Sequence, residues 1–260
     1  MAIDEVTKAS PGAAVKSADR TLSVLEYLAQ NSHAGLPEMA NALNIPKSSL
    51  HGLLRTMTAR GWVATEVTGT RYSLGVRALQ VGTAYVESDK VVSRAQNILD
   101  WLSDELHETV HLGRLDGSDV VYLDKRESQH QLRMHSALGK RLPAHAVSLG
   151  KAVLAEYSPG DVRARLGENL VALTQHTITD MDRLLEDLAL THERGYSFER
   201  EENTIGTACF AIALPGPGPI VDAVSVALPL VRLDKELEEK VISSLQTARQ
   251  SYSPPSTWGR

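Results

Sequence analysis

Three groups of residues carry side chains whose type and spacing suit chemistry. In the first, Pro46 is followed by Lys47, Ser48 and Ser49, and then by His51, Gly52 and Arg55 at helical spacing. Ammonium and hydroxyl groups in a first helical turn suit phosphate, because the unpaired backbone N–H groups of that turn point the same way. His and Arg a turn later can reach base edges. The same residue types are equally ordinary on a solvated helix face. The second group is Cys209, the one cysteine of a chain with 9 histidines. A Cys–His nucleophile needs its base within hydrogen-bond reach and an oxyanion hole, and the stretch ACFAIAL contains no nucleophile turn. Buried packing in a strand is therefore the expectation for Cys209, and an enzyme or sensor built on it with no nucleic-acid role is the alternative reading. The third group is His107 and His111, four residues apart, with His130, His135 and His145 further on. That spacing would suit zinc on one helix face, but Thr109-Val110 starts a strand between the two. No metal and no other cofactor is expected.

The elements that must hold the first group are legible around it. Ser17-Ala18-Asp19 offers helix caps, after which Leu22, Leu25 and Leu28 recur at helical spacing up to Asn31-Ser32. A second, short helix has Leu36, Met39, Ala40 and Leu43 on one face. A third opens at Pro46, carries Leu50, Leu53, Leu54 and Met57 as its apolar stripe, and closes at Gly61. Two short helices joined by a tight turn read as a helix-turn-helix. Gly52 falls on the polar face, where a glycine costs roughly 1 kcal/mol relative to alanine and is justified if the helix must approach a groove or phosphate closely. Trp62 to Val67 and Arg71 to Leu74 flank Thr68-Gly69-Thr70, which predicts a hairpin wing with Thr70 and Arg71 near its tip, placed for DNA backbone or minor groove. Arg20, in the first helix, joins this set as a further basic residue.

Further on, a helical connector from about Val76 to Ser88 leads to a long helix from Val91 to His107. Two strands then flank Asp116-Gly117-Ser118. Leu142 to Ala155 reads as a loop leading into a helix, whose first N–H groups would suit an anionic ligand. An amphipathic helix from Thr179 to Arg194 closes at Gly195, strands follow at Tyr196 to Glu199, Cys209 to Leu214 and Val221 to Leu228, and a charged helix ends the chain at Asp234 to Gln250. This pattern predicts an α+β domain with a mainly antiparallel sheet.

The 260 residues carry 27 Lys+Arg and 32 Asp+Glu, a net charge of −5, with 42% hydrophobic residues, which excludes a disordered or fibrous chain. The charge is not evenly spread: residues 17–77 hold six basic and four acidic groups, and the acidity lies beyond them. No apolar run is long enough to span a membrane and no secretory h-region is present, so a soluble, cytoplasmic protein with no membrane partner is expected. The boundaries drawn are a flexible tail over 1–16, a DNA-binding module over 17–77, a helical linker over 78–90 and a sensor domain over 91–254.

LPEMANALNIPKSSLHGLLRTMTARGWV and RYSLGVRALQVG closely resemble the winged helix-turn-helix of the IclR family of bacterial transcriptional regulators. LPAHAVSLGKAVLA, RGYSFEREENTIGTACFAIAL and IVDAVSVALP resemble the effector-binding domain of the same family, whose fold is similar to GAF and PAS sensors. The likeness covers about residues 15–252. It implies a two-domain, ligand-responsive regulator that binds a palindromic operator in double-stranded DNA as a dimer or tetramer, as a repressor of a catabolic operon. It also implies an effector held by the loop Ala146, Val147, Ser148 and Leu149 and by Glu199, Cys209, Ser225 and Ala227. Glu199 stands where many relatives have Asp. Ala227 replaces a second serine found in relatives that bind very small acids, and Val147 is bulkier and less polar than the usual Ser or Thr. Both changes point to a small organic acid or related metabolite with an apolar or aromatic portion beside a polar head.

Overall fold

A computed structural model describes residues 15–66, 69–134, 136–216 and 218–252. Most of the predicted tail, the wing residues Val67 and Thr68, and His135 lie outside these described residues. The chain divides into two units with the boundary between Val86 and Glu87.

In the first unit, α1 (Lys16–Asn31), α2 (Leu36–Ala42) and α3 (Lys47–Ala59) precede the strands β2 (Val63–Thr65) and β3 (Arg71–Leu74), and α4 (Val76–Ser88) follows. The predicted helices, wing and connector are all present. One element was not anticipated: β1 (Ala34–Gly35) adds an edge to the wing, pairing Ala34 with Tyr72 and Gly35 with Arg71. Two residues are too few to show a strand alternation, so only the pairing partner reveals it. Val24 and Leu28 of α1, Met39 of α2, and Leu50, Leu54 and Met57 of α3 form one buried core with Val63. This core leaves the opposite face of α3 to solvent. The chain turns between α2 and α3 through Asn44 at φ 50, a left-handed conformation that asparagine tolerates better than most residues.

In the second unit, Asp89 caps α5 (Lys90–Leu106), accepting from the N–H groups of Val91 at 2.9 Å and Val92 at 3.1 Å. Then come β4 (Thr109–Asp116), β5 (Asp119–Arg126), β6 (Arg141–Pro143), a 3-10 turn at Ala144–Ala146, α6 (Ser148–Leu154), α7 (Pro159–Leu166) and α8 (Met181–Arg194). The strands β7 (Ser197–Arg200), β8 (Thr207–Ala213) and β9 (Asp222–Pro229) and the helix α9 (Lys235–Ser251) complete it. The sheet order is β6-β5-β4-β9-β8-β7, antiparallel throughout. The segment read as a loop before the LGK helix therefore begins as the edge strand β6, and α7 was not read from the sequence at all. Its apolar side is thin: among its residues only Val162 is buried.

The two faces of the sheet are covered differently. Gly113 of β4 lies beneath Leu149 of α6, and a Cβ there would stand 2.8 Å from Leu149 Cδ1. One residue on, Arg114 projects to the other face, where its guanidinium meets Asp89 at 2.5 Å and Asp222 at 2.6 Å. Because successive strand residues alternate in direction, α6 and α5 sit on opposite faces. Leu115, Val120, Ala211 and Ala223 pack with α6 and with Leu184 and Leu188 of α8 in a single core.

Candidate functional site

Helix α3 presents its polar residues as the sequence requires. Pro46, Lys47, Ser48, His51, Arg55 and Thr56 are exposed, Ser49 and Gly52 partly so, while Leu50, Leu54 and Met57 are buried. No side chain caps the helix, so the first-turn N–H groups of Lys47, Ser48 and Ser49 keep no intrahelical acceptor and face outward with the positive end of the helix dipole. A Cβ at Gly52 would meet nothing within 4 Å, so packing does not demand glycine there. Arg20 donates from Nη1 to Ser49 Oγ at 3.1 Å, tying α1 to the start of α3. In the wing, Thr70 is exposed beside Gly69, and Arg71 donates from Nη2 to the carbonyl of His33 at 2.9 Å. Arg71 thus braces the β1 edge from the tip end of β3.

In the second unit the strand alternation gathers the other candidates. Glu199 on β7, Cys209 on β8 and Ala227 on β9 lie side by side in one row, and Ser225 lies in the next row between His111 and Ala211. All are on the α6 face. Ser197 at the edge of that face donates its hydroxyl to the Ser148 carbonyl at 2.6 Å, fixing the start of α6 over the strands. The side chains of Ala146, Val147, Ser148 and Leu149 are all buried, like those of Glu199, Ser225 and Ala227. Gly150 permits the close approach: a Cβ there would stand 2.1 Å from the Ala144 carbonyl oxygen.

The electrostatics separate the roles of these groups. Burial pushes the Glu199 carboxyl up to about 7, with the thiol of Cys209 and the N–H of Glu202 acting in the opposite sense. Glu199 Oε2 accepts that N–H at 2.9 Å, while its Oε1 is buried without a hydrogen-bond partner. Part of the Cys209 surface is accessible, yet its sulfur is enclosed, and burial with the Glu199 carboxyl beside it raises the thiol well above its usual range. A reactive cysteine requires the reverse shift. Among the described residues no group of three or more His, Cys, Asp or Glu side chains could hold a metal ion. His107 is the left-handed cap of α5 whereas His111 lies in β4, so the two do not share a helix face.

Sequence reasoning missed several members of this face. His111 stacks on Tyr122 with ring centroids 4.5 Å apart, and its Nε2 pairs with Ser136 Oγ at 2.8 Å. Burial, and next the Lys125 ammonium, hold its imidazole down at about 4, so it is neutral. The signal was present: His111 alternates with buried Val110 and Leu112, in phase with Gly113 and Leu115. Lys151, fully buried in α6, pairs with Glu202 Oε1 at 2.6 Å and Asp187 Oδ2 at 3.0 Å. Glu202 is distant in sequence, and only the fold brings it there.

Known proteins match along almost the whole chain. Residues 17–66 match the IclR helix-turn-helix domain, and residues 83–254 match the family described as bacterial transcriptional regulator IclR C-terminal. The HTH-type transcriptional regulator KdgR of Escherichia coli (strain K12) is 30% identical over 241 residues, 92% of this chain and 92% of that protein. The transcriptional repressor IclR of the same strain is 36% identical over 204 residues, 77% of this chain and 74% of its own. Among solved structures, an IclR transcriptional regulator from Alicyclobacillus acidocaldarius shares the fold with a TM-score of 0.82 at 22% identity, covering 91% of this chain and 96% of that one.

Proposed function

The chain belongs to the IclR family of DNA-binding transcriptional regulators, and from that premise we propose that it is a repressor of a catabolic operon whose DNA affinity is set by a small organic acid bound on the α6 face of the second unit. We assign residues 17–77 to DNA binding, 78–90 to the linker and 91–254 to the effector domain. The observation that carries the reading is the pairing of two surfaces: an uncapped, exposed α3 start at Lys47, Ser48 and Ser49, and a sheet face that gathers Glu199, Cys209, Ser225 and Ala227 beneath α6. The first suits phosphate and base edges; the second suits a small polar ligand with apolar flanks.

A dimer would place two copies of α3 in successive major grooves of a palindromic operator. The linker supports this. No residue of α4 is buried, and Val76, Leu79, Val81 and Tyr85 are all more than half exposed, an apolar surface that a second copy of the chain would cover. The effector acts by binding the DNA-competent and incompetent arrangements with different affinity. A gel shift on the upstream region of its own gene, with and without candidate acids, tests the whole reading. No preference for that DNA over competitor at moderate salt defeats it. A thermal-shift screen in which glyoxylate or pyruvate stabilises the protein and aromatic acids do not defeats the assignment of an apolar or aromatic ligand portion.

The base-reading role of α3 has its own test. Arg55→Ala is expected to relax sequence preference and lose about 1–3 kcal/mol at its site, whereas Lys47→Ala weakens all sequences alike. Unchanged site preference in Arg55→Ala removes Arg55 from base reading.

A further inference from the structure

We propose that Arg114 is the coupling residue of the second unit: it passes a shift of α6 through the sheet to Asp89, and so to the linker. The proposal rests on the effector reading, in which a ligand acts at α6. Asp89 is the single residue between α4, which ends at Ser88, and α5, which starts at Lys90. Its Oδ1 accepts the first-turn N–H groups of Val91 and Val92. The same carboxylate takes Arg114 Nη1 on Oδ2 at 2.5 Å and Nη2 on Oδ1 at 3.2 Å, while Nε and Nη2 reach Asp222 at 2.6 and 3.2 Å. One guanidinium thus fastens the start of α5 to β4 and β9, the two central strands of the sheet.

Strand register sets the other end of the path. Arg114 is paired with Asp222 across β4 and β9, and the preceding pair is Gly113 with Ala223. These neighbouring pairs face opposite sides of the sheet. Ala223 lies in one core with Leu149 of α6, and a Cβ on Gly113 would stand 2.8 Å from Leu149 Cδ1. Glycine puts no side chain between Leu149 and the strand, so a shift of Leu149 is felt by the backbone that carries Arg114. The β4–β5 ladder breaks register at the same place, between Leu112 and Gly113, a bulge that ties β4 less tightly to β5 there. A largely buried triad of charges is seldom needed for stability, because well-packed apolar side chains serve as well or better. What the planar guanidinium supplies is a directional link between one helix start and one strand pair.

The test is a double-mutant cycle on the full-length protein, read as the Kd for DNA from the upstream region of its own gene, with circular dichroism to confirm folding. Leu149→Ala perturbs the α6 end, and Leu149→Met replaces it if the alanine variant unfolds. Asp89→Asn cuts the other end while its amide oxygen still caps Val91 and Val92; Asp89→Ser serves if that variant folds poorly, since serine also caps and is too short for Arg114. Asp222→Asn removes the same charge from the same cluster but leaves the Arg114–Asp89 bonds in place. The Leu149 change is expected to shift Kd about fivefold or more in the wild-type and Asp222→Asn backgrounds, and less than about twofold in Asp89→Asn. A shift that persists in Asp89→Asn, or one lost equally in Asp222→Asn, overturns the proposal, because the cluster then only supports the fold. So does an unchanged Kd when Leu149 alone is altered. Each of these failures leaves the effector reading to its own thermal-shift screen, whereas a wild-type protein with no preference for that DNA removes the regulatory reading and the proposal with it.

Discussion

Glu199 gives the residue scale its clearest energetic signature. Its carboxyl sits at about 7 against an ordinary 4.5, with burial the largest cause. The folded state therefore holds this proton more tightly than the unfolded chain does. The resulting stabilisation is complete below about pH 4.5 and is lost as pH rises to about 7. Relative to Glu199→Gln, the wild-type protein should lose on the order of 3 kcal/mol across that window and then level off. Urea titrations of both proteins at a series of pH values check this, and a flat difference would show that the carboxyl is not held in an apolar setting.

Among the elements, α6 depends most on one backbone contact. Its start is locked to the preceding 3-10 turn at Gly150, where a Cβ would overlap the Ala144 carbonyl. The atoms it would meet all belong to the Ala144 backbone, so none can swing aside. Gly150→Ala should therefore destabilise the second unit by about 1–3 kcal/mol or more and tilt α6 away from Leu149's seat over Gly113. Gly160→Ala is the matched control, because its nearest neighbour would be Ser158 Oγ at an ordinary 3.9 Å. Calorimetric unfolding of the two variants should show a lowered transition for the first and an unchanged one for the second.

Over the whole molecule, each unit has its own closed core, one around Leu50 and Leu54 and the other between α6, α8 and the sheet. A fragment starting at Glu87 is thus expected to unfold cooperatively at the same temperature as the matching transition of the intact chain, and to keep ligand binding while losing DNA binding. Circular dichroism and calorimetry on the fragment check this; a molten fragment would show that the first unit completes the core. The net charge of −5 likewise belongs to no single surface. Residues 17–77 carry +2, so few phosphates can be neutralised per copy, and DNA affinity must come from a few placed residues, which the proposed dimer would count twice.

The helices of the first unit, the wing, the long strands and the outward face of α3 were all legible in the sequence, because each is written in a local period: Leu50, Leu54 and Met57 at helical spacing, Val110 and Leu112 alternating with His111 and Gly113. Motif likeness went further and named Glu199, Cys209, Ser225 and Ala227 as candidates. Neither could show β1, a strand defined by its partner alone, nor α7, whose apolar side is a single buried valine. Nor could they show that Lys151 would be enclosed by Glu202 and Asp187, or that Glu199 would keep one oxygen open. The β1 pairing and the Lys151 cluster arise between residues tens of positions apart, where register and burial decide which polar atoms find partners, and no local pattern encodes that.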